Sequence, residues 1–150
     1  MNDLTVIDIP SREKIESLQR AMSTMPQATG EDMVTSHYFA DGMYCRRLWR
    51  RAGVLIVGKV HLKEHFYIVA SGCVRVTTDT GVRDVKGTEV IVSQPGTKRA
   101  VLALEDSVCV TVHRTDKTDL DEIEAELIEP DEFAMFNSRN QLKSIEMKEV

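Results

Sequence analysis

Cysteine is scarce in this chain, and its spacing carries no framework. Cys45, Cys73 and Cys109 are the only three among 150 residues. An odd number without a C-x-x-C pair points to neither a disulfide scaffold nor a zinc finger. No apolar run approaches the ~18 residues of a membrane-spanning helix. The first residues, Met1-Asn2-Asp3-Leu4-Thr5, lack the basic start and long apolar stretch of a secretory signal. The expected location is a cytoplasm, or a particle assembled there. Basic charge is not in excess. Lys and Arg number 19 against 24 Asp and Glu, a net charge of -5, which counts against nucleic-acid binding. The chain has no Walker or Rossmann glycine loop, no G-x-S-x-G around Ser71, and no internal repeat or low-complexity segment. Cysteine catalysis is not expected either. Cys73 and Cys109 lie in valine-rich runs, where small thiols are buried and inert. Cys45 sits near arginines able to lower its pKa, but no acid/base partners accompany it.

What is present specifies one folded domain. The composition is 42% hydrophobic and 29% charged, and a chain of this length buries a core without staples. Three regions follow one another: an arm and helix over 1–36, a β-rich body over 37–115, and a helix and tail over 116–150. Leu4 to Ile9 alternates and reads as an edge strand or arm. Ile15, Leu18, Met22 and Met25 recur at helical spacing, so a helix is expected over 11–25, capped by Ser11 and stopped by Pro26. Residues 27–36 read as a loop. From His37 to His113 short β runs alternate with turns at Ala52-Gly53, Ser71-Gly72, Asp79-Thr80-Gly81, Lys86-Gly87, Pro95-Gly96 and Glu105-Asp106. That rhythm predicts a sandwich or barrel. Leu55, Val57, Lys59 and His61 are expected on one face of a strand, and His65, Tyr67 and Val69 on one face of the next. Thr118 with Asp121 reads as the start of a second, acidic helix, with Leu120, Ile123 and Leu127 as its stripe and Pro130 as its end. Residues 131–150 are thin in apolar positions (Phe133, Phe136, Leu142, Ile145, Met147) and read as an arm needing a partner surface.

The stretch Gly58-Lys59-Val60-His61-Leu62-Lys63-Glu64-His65-Phe66-Tyr67-Ile68-Val69-Ala70-Ser71-Gly72 carries the chemistry. Here the chain resembles the cupins, small double-stranded β-helices or jelly rolls, whose first motif runs G-x5-H-x-H-x3,4-E-x6-G. Gly53 and Gly72 fit the two glycines. Lys59 then falls at the first histidine, His61 at the second and His65 at the glutamate. The second motif matches Gly87-Thr88-Glu89-Val90-Ile91-Val92-Ser93-Gln94-Pro95-Gly96-Thr97-Lys98-Arg99, with Arg99 in the histidine position. A closer resemblance covers residues 38–130. The strings GKVHLKEHFYIVASG, VSQPGTKRAVLALED and VHRTDKTDLDEIEAELIEPD are similar to small cupin-like proteins encoded by tailed bacteriophages. The resemblance implies a mainly β cupin-like jelly roll, with an N-terminal helix, a C-terminal acidic helix and an arm.

Three readings of the Lys59, His61, His65 and Arg99 wall follow. A cupin metal site holds three histidines and a carboxylate, but only His61 and His65 among these four can ligate, because arginine stays protonated. Glu64 or His113 would have to complete it, and Lys59 and Arg99 would repel the ion. Alternatively the wall is a positive pocket for an anion such as a carboxylate, phosphate or nucleotide. Without a ligand, His61 and His65 are hydrogen-bonded core or rim residues, and Lys59 and Arg99 pair with Glu64, Glu89 or Asp106. Elsewhere, Arg46, Trp49 and Arg50 are candidate interface anchors. The acidic helix Asp119 to Glu129 of a neighbouring copy would be a fitting partner. Both helices are expected on the outer face of one sheet, with arms exchanged in a homo-oligomer. The functional expectation is a non-enzymatic, phage-encoded structural or accessory protein without a cofactor. It would act through protein contacts, as a capsid decoration, tail or head-to-tail component. The alternative is a small-molecule cupin binding an anion or nucleotide, or an enzyme using one divalent transition metal. An open cavity favours the alternative, and a barrel filled by Tyr67, Val69 and Val101 favours the structural role.

Overall fold

The computed structural model describes residues 11–78, 80–132 and 134–141. The expected Leu4–Ile9 strand or arm lies outside them, as do Phe133 and the tail positions Leu142, Ile145 and Met147. Among the described residues the elements run α1 (Arg12–Met22), β1 (Met33–Ala40), β2 (Met43–Arg50), β3 (Leu55–Val57), β4 (His65–Ser71), β5 (Cys73–Thr78), β6 (Gly81–Lys86), β7 (Glu89–Ser93), β8 (Ala100–Ala103), β9 (Ser107–Arg114) and α2 (Leu120–Leu127). Two antiparallel sheets form, ordered β1-β2-β9-β4-β7 and β3-β8-β5-β6. The fold is a mainly β jelly roll. No helix among the described residues is long and apolar enough to cross a membrane.

Alternation sets the faces of the strands. In β9, Ser107, Cys109, Thr111 and His113 are buried while the residues between them are less so, the period of 2 that a pleated strand imposes. Val69, Val74, Val76, Val85, Val101, Tyr67 and Cys109 pack into one core cluster between the sheets. β-branched residues suit such a pleated, buried surface. Gly72, the last glycine of the first motif, joins β4 to β5 at φ +81°, and a Cβ there would lie 2.4 Å from Asp106 O and Ser107 Oγ. Only glycine fits both that conformation and that approach.

The helices differ from expectation in their ends and in one placement. Ser11 caps α1 as expected, its Oγ accepting from Lys14 N at 3.1 Å. The helix stops at Met22 rather than at residue 25, and Met25 is 55% exposed. Ser23 and Thr24 turn their hydroxyls back onto Arg20 O and Ala21 O, which competes with the helical backbone pattern. The residue before Pro26 is also disfavoured in helical conformation. Ile15 and Met22 pack with Val57 and Ala100, so α1 covers the face of β3–β8 turned away from the central core. The strand expected from His37 begins earlier, at Met33, which takes Met33 to Ser36 out of the expected loop. In α2 the cap is Asp119, not Thr118. Its carboxylate accepts from Glu122 N at 3.0 Å, and a charged acceptor at the positive helix end is the stronger cap.

The second helix does not lie on the outer face of a sheet. Ile123 and Leu127 pack with Tyr44, a residue on the inward face of β2. The helix closes the mouth of the barrel, and the chain after it continues the closure. Ala134 is buried, Met135 packs beside Ile15 and Met22, and Asn140 Nδ2 donates to Thr35 Oγ1 at 2.9 Å. The described part of the tail therefore folds back on its own barrel instead of projecting as an arm. Its anchor is Asp131. Its carboxylate accepts from Lys98 Nζ at 2.9 Å and from Gln19 Nε2 at 3.1 Å, joining tail, barrel and α1. The Lys98 side chain is only 2% exposed. Removing one partner of such a pair strands a buried charge. Asp131→Ala is expected to cost about 3 kcal/mol in urea unfolding, whereas Asp84→Ala, which breaks the exposed Arg75–Asp84 pair, should leave the midpoint unchanged. Equal midpoint shifts in the two variants would contradict this anchoring.

Candidate functional site

The histidines gather where β4 and β9 end. Phe66 pairs with Val112 and Tyr44 with His113. His65 precedes Phe66 and His113 follows Val112, so the two face each other across the ladder, with Tyr44 beside them. Their ring centroids are 4.4 Å apart. His61 comes from the loop after β3. That strand ends at Val57, so Lys59 and His61 are not on its face as expected. Leu55 and Val57 turn toward α1, while the loop carries Lys59 and His61 to the cavity. An isolated bridge between His61 and Ile128, just past α2, holds the loop there. His61 stacks at 4.9 Å on His113 and lies 4.3 Å from His65. Candidate ligand nitrogens of all three lie within 4.8 Å of one another.

Burial keeps these imidazoles neutral. It pushes the His61 pKa well down, and His65 and His113 push the same way. His65 is lowered by burial, and His113 falls to about 3 through burial, His65 and Arg46. His65 Nδ1 lies 3.1 Å from Lys63 O. A carbonyl only accepts, so Nδ1 carries the proton and Nε2 keeps its lone pair for a ligand. Metal–imidazole bonds of ~2.1 Å place cis donors about 3.0–3.4 Å apart, so small ring rotations bring this set to coordination. Three neutral imidazoles suit a first-row divalent metal. Among the described residues no carboxylate joins the group. Glu64 accepts from Gln94 instead.

The other predicted residues divide. Lys59 lines the cavity and is ion-paired with Glu124 of α2, not with Glu64, Glu89 or Asp106. Arg99 lines it too. It donates to Thr77 O at 2.7 Å and Ser93 Oγ at 3.0 Å, and lies 5.6 Å above the Tyr67 ring. Within the chain, α2 pairs Glu124 with Lys59 and Glu126 with Lys63 and Lys117. Arg46 and Arg50 were expected at a surface. The pleat of β2 turns them inward with Tyr44 and Leu48, and leaves half-buried Trp49 on the outer face. Cys45 has its pKa raised by burial, not lowered by arginines.

These side chains enclose a cavity of about 130 Å³ beneath α2 and residues 134–140. Tyr67 and Val101 belong both to the valine cluster and to the cavity lining. The barrel is thus filled by side chains at one end and hollow at the other, beneath α2. His113, Tyr44, Thr111 and the inward pair Arg46 and Arg50 are the lining residues that motif matching did not select. Their signal was alternation along β2 and β9.

Comparison with solved structures finds the same jelly-roll architecture in cupins. The chain is similar to a cupin superfamily protein from Desulfitobacterium hafniense, with 11% identity over 63% of this chain and 88% of that one, at a TM-score of 0.50. KdgF from Halomonas sp. aligns at 14% identity over 63% and 88%, with a TM-score of 0.53. Salicylate 1,2-dioxygenase from Pseudaminobacter salicylatoxidans aligns at 11% identity over 67% of this chain and 32% of that one, at 0.50. At such identities the likeness establishes the cupin fold. No family model and no curated protein matches the sequence.

Proposed function

We propose that the protein is a small-molecule cupin whose barrel holds one divalent transition metal on His61, His65 and His113. The observation that carries this is the approach of three neutral imidazoles within 4.8 Å at the wall of the barrel cavity. Three protein ligands leave coordination positions open, the arrangement of a catalytic rather than a structural site. A metal held there would polarise a bound oxygen or lower the pKa of a bound water. Around it the chain's own residues would exclude water through α2, and fix the His65 tautomer through the Lys63 carbonyl. Of the cationic lining, Lys59 is neutralised by Glu124, and an anion bound beside the metal would offset Arg46 and Arg50. Elemental analysis of untagged protein should find near one transition metal per chain, lost in His113→Ala and His61→Ala while the fold persists by circular dichroism. Metal-free wild-type protein that also fails to take up added Zn²⁺ or Fe²⁺ would overturn the proposal.

A second reading, compatible with the first, is assembly through the outer sheet. Phe66 pairs with Val92 and Ile68 with Val90 on β4 and β7. Val90, Val92 and Phe66 are 56%, 49% and 48% exposed, and β7 is an edge strand. Exposed apolar edges favour pairing with another copy. The resemblance to phage-encoded proteins extends this to a particle role beside other phage structural proteins. Light scattering should give a multiple of 16.9 kDa that Val92→Lys reduces, with the chain present among the proteins of purified virions. A monomeric mass at micromolar concentration removes the assembly, and absence from virions removes the particle role.

A further inference from the structure

We propose that the row of side chains directly below the histidines is a carboxylate anchor, so that the molecule this barrel takes is a small organic acid. The inference rests on the small-molecule reading above and names its ligand class. Register defines the row. Arg46 pairs with Thr111 across β2–β9, and Thr111 pairs with Tyr67 across β9–β4. Each is two residues from the histidine row of Tyr44, His113 and His65, on the same inward face, which spaces the two layers by about 7 Å. Arg50 follows on that face of β2 beyond Leu48, and its charge acts on both Arg46 and Tyr67.

These groups offer donors and find no acceptors. Arg50 is 3% exposed. Among the described residues its Nε and Nη1 and Thr111 Oγ1 are buried without a hydrogen-bond partner, and Tyr67 Oη has no nitrogen or oxygen partner, only the Cys109 thiol beside it. Among the described residues the side chains of Arg46 and Arg50 make no hydrogen bond or ion pair within the chain. The cavity lining holds Arg46 and Arg50 with a single carboxylate nearby, Glu124, which Lys59 already engages. Guanidinium groups donate only, and burying one without an anion is too costly to persist as packing alone. The surplus of donors therefore calls for an acceptor that carries negative charge. A planar carboxylate matches the planar guanidinium fork, with the two hydroxyls completing its lone pairs. Size narrows the class further. At about 130 Å³ the cavity lies below the ~300–1,000 Å³ of pockets for drug-sized ligands, a size that suits a small acid. A layer spacing of about 7 Å suits a short diacid or oxo acid, one end on Arg46 and the other toward the histidines. Such a ligand would also bring the negative charge that a three-histidine metal set lacks.

The test is isothermal titration calorimetry at constant ionic strength, with succinate and malonate as probes and inorganic phosphate and chloride as comparisons. The protein is used as purified, with its metal content measured alongside. Wild type should bind one diacid per chain, with chloride silent and phosphate weaker. Arg46→Gln should weaken the diacid at least tenfold and Thr111→Val several-fold, with metal content unchanged. The thermal midpoint of Arg46→Gln should hold or rise, because the change removes an uncompensated charge rather than a contact. The anchor is overturned if metal-loaded wild type takes up no diacid, if Arg46→Gln binds it equally well, or if phosphate binds more tightly. Arginine-dependent diacid binding in a protein that cannot hold metal would support the anchor while removing the metal from the proposed function.

Discussion

The candidate site depends on the register that β9 keeps with both of its neighbours. Antiparallel pairing to β2 and to β4 sets Tyr44, His113 and His65 in one inward row and Arg46, Thr111 and Tyr67 in the next. A slip of one residue in either ladder would turn a whole row outward. The core cluster that includes Val69 and Cys109 resists such a slip. Burial of these apolar side chains is what keeps polar and titratable groups aligned at the open end of the barrel.

The lid is the second condition. Without α2 and residues 134–140 the histidines would face solvent. With them, Ile123 and Leu127 pack over the cavity against Tyr44, and the Lys59–Glu124 pair ties the helix to the loop that bears His61. Asp131 then locks the following segment to Lys98 and Gln19. The acidic character of α2 thus serves the chain's own lysines. Closure also lowers the local dielectric, which neutralises the imidazoles and strengthens any charge pairing inside.

Much of this fold is legible in the sequence, because its signals are local. Turn residues and β-branched runs mark the strands, Ser11 and Asp119 lie at or beside the expected helix starts, and Gly72 is demanded by sterics. The cupin motif likewise located His61 and His65. What escaped was set by tertiary placement. Motif matching put Arg99 where a third histidine belongs, and left Glu64 and His113 as alternatives to complete the set; the register of β9 brings His113, not Glu64, to it. The pair Arg46 and Arg50 read as surface charge because arginine is ordinarily exposed, although the alternation Tyr44, Arg46, Leu48, Arg50 already assigned all four to one face. The lid was misplaced for a related reason. An amphipathic stripe says that α2 packs, not which side of a sheet receives it. Likewise Glu124 and Glu126 gave no sign that their partners were Lys59, Lys63 and Lys117.

The central claim is that the mouth of the barrel is a metal site with an open position facing an acid-binding layer. The visible absorption spectrum of the protein titrated with Co²⁺, first alone and then with succinate, tests it most directly. The account predicts ligand-field bands unlike those of the hydrated ion, saturating at one Co²⁺ per chain and shifting when succinate enters. A spectrum that stays that of hydrated Co²⁺ at every ratio, indifferent to succinate, would contradict it.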